Sequence, residues 1–69
     1  MIEVFKTNVE QDLEAKEIVS LLLEHFPESR INFDLEDCDK ILRIEGGNFL
    51  ADKVMMMVGE RGFVCDILE

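Results

Sequence analysis

Hydrophobic and polar residues alternate through the middle of the chain, in the stretch RINFDLEDCDKILRIE at residues 30–45. Its apolar residues stand at every second position on both sides of an acidic centre, with Ile31, Phe33 and Leu35 before it and Leu42 and Ile44 after it. A period of two is typical of β-strands that bury one face. Because aspartates favour turns, the stretch is predicted to form a β-hairpin with an irregular turn near Cys38.

The chain before this hairpin follows the spacing of a helix from about residue 10 to residue 26. One face of this helix collects the residues that are expected to point inward, namely Gln11, Ala15, Ile18, Val19, Leu22 and Phe26. A stripe of this kind is the mark of an amphipathic helix. Asn8 is expected to cap the helix and Pro27 to end it, while Leu13 falls among the polar residues of the outer face.

A second helix is predicted over residues 49–61, after the flexible pair Gly46 and Gly47. Asn48 is its expected N-cap, and Gly62 is expected to end it. The residues expected to face inward are Leu50, Val54, Met57 and Val58.

Short alternating stretches at the two ends of the chain predict two further strands. Ile2 and Val4 mark the first, and the last is the ending GFVCDILE, in which Phe63, Cys65 and Ile67 share a face. The element order is therefore βαββαβ, and two right-handed βαβ units joined by a hairpin make a ferredoxin-like α+β sandwich. We expect residues 1–69 to form one domain, with an antiparallel sheet in the strand order 4-1-3-2 and both helices on one face.

The sheet face turned away from the helices is where a protein partner or a second copy of the chain is expected to bind. The side chains predicted to face the helices are Ile2, Val4, Phe33, Leu42, Ile44 and Cys65. The open face then carries the apolar residues Phe5, Ile41, Val64 and Leu68. Uncovered apolar side chains of this kind can form an interaction patch, although every small protein exposes some scattered apolar residues.

The negative charge of the chain argues against two classes of partner. Sixteen acidic and seven basic residues give a formal charge of −9, and such a surface repels both nucleic acid and anionic membranes. The apolar runs are too short to span a bilayer, and the first residues lack the apolar core of a secretory signal. We therefore expect a cytoplasmic protein in which Cys38 and Cys65 stay as free thiols.

The length, the βαββαβ order and the ending GERGFVCDILE resemble the heavy-metal-associated domain of copper chaperones and metal-transporting ATPases. That resemblance implies the same ferredoxin-like fold over nearly the whole chain. In the family, two cysteines spaced CxxC follow the first strand and bind a soft metal such as Cu(I) or Zn(II). The matching positions here are near Val9 and Asp12, which provide no thiolate, so the metal chemistry of the family is not expected.

Cys38 is the residue on which any other soft-metal site would depend. Its acidic neighbours are Asp34, Glu36, Asp37 and Asp39. An ordinary exposed turn cysteine is the favoured interpretation of Cys38, and Cys65 has the inward phase of a core residue.

Two other hypotheses for a metal site have less support from the sequence. Asp34, Glu36 and Glu45 fall at three ligand positions of a calcium loop, but the required glycine is absent and the strand pattern contradicts a helix-loop-helix. The run Met55, Met56 and Met57 offers thioethers, which point in different directions on a helix and cannot converge on one copper ion.

His25 is the single histidine, near the end of the first helix, where its charge is favoured without any catalytic role. No catalytic motif of recognisable spacing accompanies it, so we expect neither an enzyme nor a cofactor. The preferred hypothesis is a non-enzymatic protein interaction or self-association module. The alternative is soft-metal binding or transfer through Cys38, and a third hypothesis is a small-molecule or catalytic role at His25.

Overall fold

The structure is a computed structural model that describes residues 1–47 and 49–68. Its elements are, in chain order, β1 (Ile2–Thr7), α1 (Asp12–His25), β2 (Arg30–Asp34), β3 (Ile41–Glu45), α2 (Ala51–Glu60) and β4 (Cys65–Ile67). This order confirms the predicted βαββαβ arrangement. The strands form an antiparallel sheet in the order β2-β3-β1-β4, which is the predicted order read from the other edge.

Both helices pack on one face of the sheet, so the predicted ferredoxin-like α+β fold is confirmed. One apolar core fills the space between the layers and contains Phe5, Val9, Ala15, Ile18, Leu22, Leu42, Ile44, Phe49, Val54, Met57, Val58 and Cys65. Full burial of a large apolar side chain stabilises a fold by about 1.5–3 kcal/mol. The core is therefore the main source of stability in so short a chain.

Strand β1 faces the opposite way from the prediction. Ile2 is 55% exposed and Val4 lies on the open face, whereas Phe5 is fully buried. The register gives the reason, because Val4 lies opposite Arg43 and Phe5 lies opposite Leu42. Residues that pair across strands share a face, so turning Val4 inward would bring Arg43 into the core. Burying Phe5 beside Leu42 instead leaves the guanidinium in water.

The other strands have the predicted orientation. Leu42 and Ile44 are fully buried, Cys65 is buried, and Phe33 is half-buried against the same core. The weaker burial of Phe33 follows from its place on β2, which is an edge strand.

Helix α1 begins at Asp12, two residues later than predicted. Its buried residues are Ala15, Ile18 and Leu22, all from the predicted inward face. Gln11 is the exposed N-cap and does not belong to that face, and its side chain makes no capping hydrogen bond. Leu13 is 73% exposed, in agreement with its place on the outer face.

Asn8 does not cap α1, contrary to the prediction. Its side-chain Oδ1 instead accepts a hydrogen bond from the backbone N–H of Val64, at 2.8 Å. Asn8 therefore ties the loop after β1 to the segment that enters β4.

Helix α2 buries Val54, Met57 and Val58 as predicted. Leu50 is the N-cap and is 70% exposed, so its predicted inward orientation is wrong, and Phe49 fills the core with 2% exposure. Leu50 has extended backbone and so does not follow the helical spacing. The predicted N-cap, Asn48, lies outside the described residues. Gly62 has a φ of +92°, which confirms that a left-handed glycine follows the helix.

Candidate interaction site

The open face of the sheet is the face that the helices leave uncovered. Strand phase and register assign to it Ile2, Val4 and Lys6 on β1, Arg30, Asn32 and Asp34 on β2, Ile41, Arg43 and Glu45 on β3, and Val64, Asp66 and Leu68 in and around β4. Most of these side chains are exposed, so the face is accessible over its whole width.

Of the four residues predicted for this patch, the structure exposes two and buries two. Val64 and Leu68 are exposed, at 55% and 37%. Phe5 is fully buried on the opposite face, and Ile41 is only 7% exposed, although it lies outside the contiguous core cluster. Neither Phe5 nor Ile41 can therefore contribute appreciable contact area.

Ile2 and Val4 take the place of Phe5, because the reversed phase of β1 turns them outward. We call these two residues, together with Val64 and Leu68, the β1–β4 patch. Ile2, Val4 and Leu68 are neighbours on β1 and β4, and the Lys6–Asp66 pair separates them from Val64. The backbone N–H of Leu68 donates to the carbonyl of Val4 at 2.9 Å, so these two residues are neighbours across the strands. The bond from Val64 to Asn8 fixes the other end of the patch.

The open face is electrically balanced, unlike the chain as a whole. Its basic residues are Lys6, Arg30 and Arg43, and its acidic residues are Asp34, Glu45 and Asp66. These six charges cancel, so the formal charge of −9 arises entirely from the rest of the chain. The excess of acidic residues therefore lies outside the open face, on the helices and in the loops, and the open face is the surface that another chain can approach with the least repulsion.

A groove of about 710 Å³ runs between α1 and the edge strand β2. Ala15 and Val19 contribute apolar surface from the helix, and Ile31, Phe33 and Leu35 contribute it from the strand side. Asp12 and Lys16 lie at the helix side of the opening. Sequence periodicity did not reveal this groove, because it arises from the distance between two elements.

The hairpin turn is held by its own polar groups. The Asp37 carboxylate accepts the Asp39 N–H at 2.9 Å, and the Lys40 ammonium donates to the Leu35 carbonyl at 3.0 Å. The Thr7 hydroxyl donates to the Lys40 carbonyl at 2.6 Å, which ties the turn to β1. Lys40 has a positive φ of 47°, as expected for an irregular turn.

The turn also brings metal-ligating atoms together. One donor atom each of Asp37, Cys38 and Asp39 lies within 4.8 Å of the others, and Cys38 is exposed as predicted. Glu45 lies opposite Arg30 at the far end of the hairpin from Asp34, about 13 Å away along the strands. The acidic residues of the hypothetical calcium loop are therefore not brought together.

Cys65 is buried, as predicted from its phase. Desolvation, aided by the nearby Asp66 carboxylate, raises the pKa of the Cys65 thiol from its usual 9.0 to about 12. The thiol is neutral at ordinary pH, and a neutral buried thiol is a core side chain rather than a metal ligand.

The loop after β1 contains Val9 and leads to Asp12, the two positions that the sequence resemblance matches to the CxxC cysteines. Val9 is fully buried in the core there, and its N–H donates to the Thr7 hydroxyl at 3.2 Å. Asp12 is exposed at the start of α1. Neither matching position offers a soft ligand, and the Val9 side chain points away from solvent.

His25 is exposed and lies beside a small cavity of about 250 Å³, which Phe26, Pro27, Glu28, Ser29 and Gly47 also line. Its Nδ1 lies 3.1 Å from the Leu21 carbonyl, within its own helix. Among the described residues it makes no hydrogen bond to Ser29 or Glu28, so this geometry does not assemble a nucleophile and base.

The fold and the surface together define a ferredoxin-like α+β protein with an open, charge-balanced sheet face. No protein-family model, curated protein or solved structure matches the chain. Across residues 1–47 and 49–68, none of the helices has the length and apolar character needed to cross a membrane.

Proposed function

We propose that the protein is a non-enzymatic self-association module, in which two copies meet through the open face of the sheet at the β1–β4 patch. The observation that supports this most is the combination of exposed Ile2, Val64 and Leu68 with a face that carries no net charge. The scaffold is that of the heavy-metal-associated resemblance, used without its CxxC site. Two free thiols support a reducing compartment such as the cytoplasm.

When two copies of the chain meet, charge favours contact through their open faces over contact through their other surfaces. Two molecules of charge −9 repel each other wherever their acidic helices and loops meet. The open faces avoid this repulsion, because each presents basic and acidic side chains in equal number. A two-fold arrangement can place residues such as Arg43 of one copy near acids of the other.

The apolar area sets the expected strength. Covering a half-exposed Ile, Val or Leu contributes about 1 kcal/mol, roughly half of the value for full burial. Three such residues from each copy only slightly exceed the lower estimates of the cost of association, which runs from about 4 to 15 kcal/mol. We therefore expect a weak dimer, with a Kd of roughly millimolar to tens of millimolar.

Sedimentation equilibrium at increasing protein concentration tests this proposal. Val64→Ser with Leu68→Ser should lower the dimer fraction, because both side chains lie in the β1–β4 patch. Leu13→Ser with Leu50→Ser is the matched control, since these leucines are 73% and 70% exposed but lie outside the patch. A wild-type protein that shows no dimer at all at several millimolar would overturn the proposal, as would equal effects of the two double variants.

The second candidate function is soft-metal binding through Cys38. Its supporting observation is the cluster of Asp37, Cys38 and Asp39 donors within 4.8 Å. Three donors are one fewer than a structural zinc site uses, so a stable site would need a ligand from another chain. Native mass spectrometry with Zn(II) or Cu(I) should then show metal that Cys38→Ser abolishes. Metal uptake that is the same with and without Cys38 would eliminate this candidate.

A further inference from the structure

Strand β2 has an uncovered outer edge. It pairs with β3 on one side, and within residues 1–47 and 49–68 no strand pairs with its other side. An edge of this kind presents backbone N–H and C=O groups that can pair with another chain. The edge lies beside the groove under α1 and is separated from the β1–β4 patch by strand β3.

The hydrogen-bond phase of the sheet shows which groups are free. The Gly46 N–H donates to the Met1 carbonyl at 2.8 Å, so alternate residues of β3, including Leu42 and Ile44, direct their backbone groups toward β1. Arg43 and its alternate neighbours then bond to β2, where they meet Arg30, Asn32 and Asp34. The backbone groups of Ile31 and Phe33 are left pointing outward.

The sequence of β2, Arg-Ile-Asn-Phe-Asp, is complementary to itself when it is reversed. If two copies align antiparallel about Asn32, each Arg30 lies opposite Asp34 of the other copy. Each Ile31 lies opposite Phe33, and Asn32 lies opposite itself. Opposite charges and apolar pairs are the favourable cross-strand combinations, and this register uses all five residues of the strand.

The backbone agrees with this register. Ile31 and Phe33 are the residues with outward N–H and C=O groups, and they fall opposite each other, so they form hydrogen-bonded pairs. Arg30, Asn32 and Asp34 fall in non-hydrogen-bonded pairs, where side chains come closest, at a Cα separation of about 4.5 Å. A shift by one residue would place an outward backbone group opposite an inward one.

The groove supplies a place for the side chains. Ile31 and Phe33 are half-buried and lie on the helix side of β2, where Ala15 and Val19 of α1 face the same groove. In the antiparallel pair, Phe33 and Ile31 of the second copy would lie next to them. The pairing would therefore reduce the exposure of both half-buried residues.

We propose that two copies of the chain pair antiparallel through the β2 edge, centred on Asn32, to form a continuous eight-stranded sheet. This contact goes beyond the open-face association, because it uses a different surface and leaves the β1–β4 patch free. The pairing is reciprocal, with Arg30 of each copy opposite Asp34 of the other, so the interface is two-fold symmetric. The occupant of the edge is the second copy, and the Arg30 and Asp34 pairs set the register.

Charge reversal tests the pairing. Arg30→Asp alone and Asp34→Arg alone each create two like-charge pairs, and each should weaken dimerisation between about 2-fold and 30-fold. The double variant Arg30→Asp with Asp34→Arg restores opposite charges and should recover the wild-type dimerisation constant. If only the net charge of the chain governed dimerisation, the two single changes would have opposite effects. Arg30→Asp makes the chain more negative, and Asp34→Arg makes it less negative.

A second variant checks the geometry. Asn32→Cys in a Cys38→Ser background should form a disulfide-linked dimer under mild oxidation, because a Cα separation of about 4.5 Å falls within the range of disulfides. Lys53→Cys in the same background is the control. Lys53 is exposed on α2, away from the β2 edge, so its cross-linking measures random collision. Cross-linking of Asn32→Cys no faster than this control would contradict the pairing.

The outcomes separate this inference from the open-face proposal. If the charge variants leave sedimentation unchanged while Val64→Ser with Leu68→Ser reduces the dimer, the edge pairing is overturned and the open-face contact stands. If the double charge variant rescues the single changes, the edge pairing is supported whatever the open-face variants do. If an extended segment of another protein occupies β2 instead, the purified chain will be insensitive to every charge variant, and the inference fails.

Discussion

The side chain of Asn8 accepts a hydrogen bond from the backbone N–H of Val64 at 2.8 Å, across 56 positions of sequence. The bond joins the loop after β1 to the segment before β4, at the end of the sheet where β4 has only three residues. A short edge strand has few ladder hydrogen bonds of its own, so this side chain supplies an anchor that the strand lacks.

Asn8→Ala should therefore lower the free energy of unfolding by about 0.5–1.5 kcal/mol, because the Val64 N–H loses its partner. Urea denaturation at low protein concentration measures the loss. Asn8→Asp is the matched control, since it keeps an acceptor oxygen and should retain most of the stability. Equal losses in both variants would show that the hydrogen bond does not stabilise the fold.

The orientation of β1 gives a second prediction. Phe5→Ala should cost about 3–5 kcal/mol, because it empties a fully buried site in the centre of the core. Val4→Ala, one position away on the open face, should cost less than about 1 kcal/mol. Thermal and urea unfolding of the two variants will compare them directly. A larger loss at Val4 than at Phe5 would mean that the strand has the opposite phase.

Burial of the Cys65 thiol makes stability depend on pH. The pKa of this thiol is raised from 9.0 to about 12 in the folded state. Between these values the unfolded chain releases a proton that the folded chain keeps, so the free energy of unfolding falls as pH rises. Below pH 9 both states hold the proton, and Cys65 contributes no slope.

Unfolding in urea under reducing conditions, at several values from pH 8 upward, measures this slope. Cys65→Ala should flatten it relative to the wild type, whereas Cys38→Ala leaves Cys65 in place and should keep it. If Cys65→Ala and the wild type lose stability in parallel above pH 9, the thiol is not responsible.

Two glycines near the end of α2 should respond in opposite directions to alanine. Neither added Cβ would have an atom within 4 Å, so packing does not decide the result. Gly62 has a φ of +92°, where a side chain costs about 1–2 kcal/mol, so Gly62→Ala should destabilise the protein. Gly59 lies within the helix, and Gly59→Ala should stabilise it by up to about 1 kcal/mol. Paired melting curves with effects of the same sign would contradict this account.

The elements and the sheet order could be predicted because they depend on local periodicity and on short connections. The spacing of Ala15, Ile18 and Leu22 and the alternation of Leu42 and Ile44 are properties of neighbouring residues, and the structure confirms both. Right-handed crossovers then leave few ways to connect the strands.

The phase of β1 could not be predicted in the same way. Ile2 and Val4 alternate with Glu3 and Phe5, so each face of the strand offers apolar residues. The choice depends on which residue of β3 lies opposite, and only the register shows that Val4 meets Arg43. Phe5 was assigned to the interaction patch for this reason, because the assignment followed the wrong phase of β1.

Polar contacts between residues far apart in the sequence could not be predicted either. The spacing of Asn8 before a helix favours a cap, and nothing nearby in sequence indicates Val64 as the partner. The symmetry of Arg30 and Asp34 about Asn32 is visible in the sequence. It indicates pairing between two copies only when β2 is known to be an edge strand.

The segregation of charge has a consequence for the size of any assembly. Contacts through the open face would bury the balanced surface and turn the helix layers outward, with acids such as Glu14, Glu17 and Glu24 on α1 and Asp52 and Glu60 on α2. Each added copy would bring its full charge of −9 to the exterior. The resulting oligomer would carry an anionic outer surface, and repulsion between such surfaces opposes further growth, so small oligomers rather than precipitates are the favoured products at low salt.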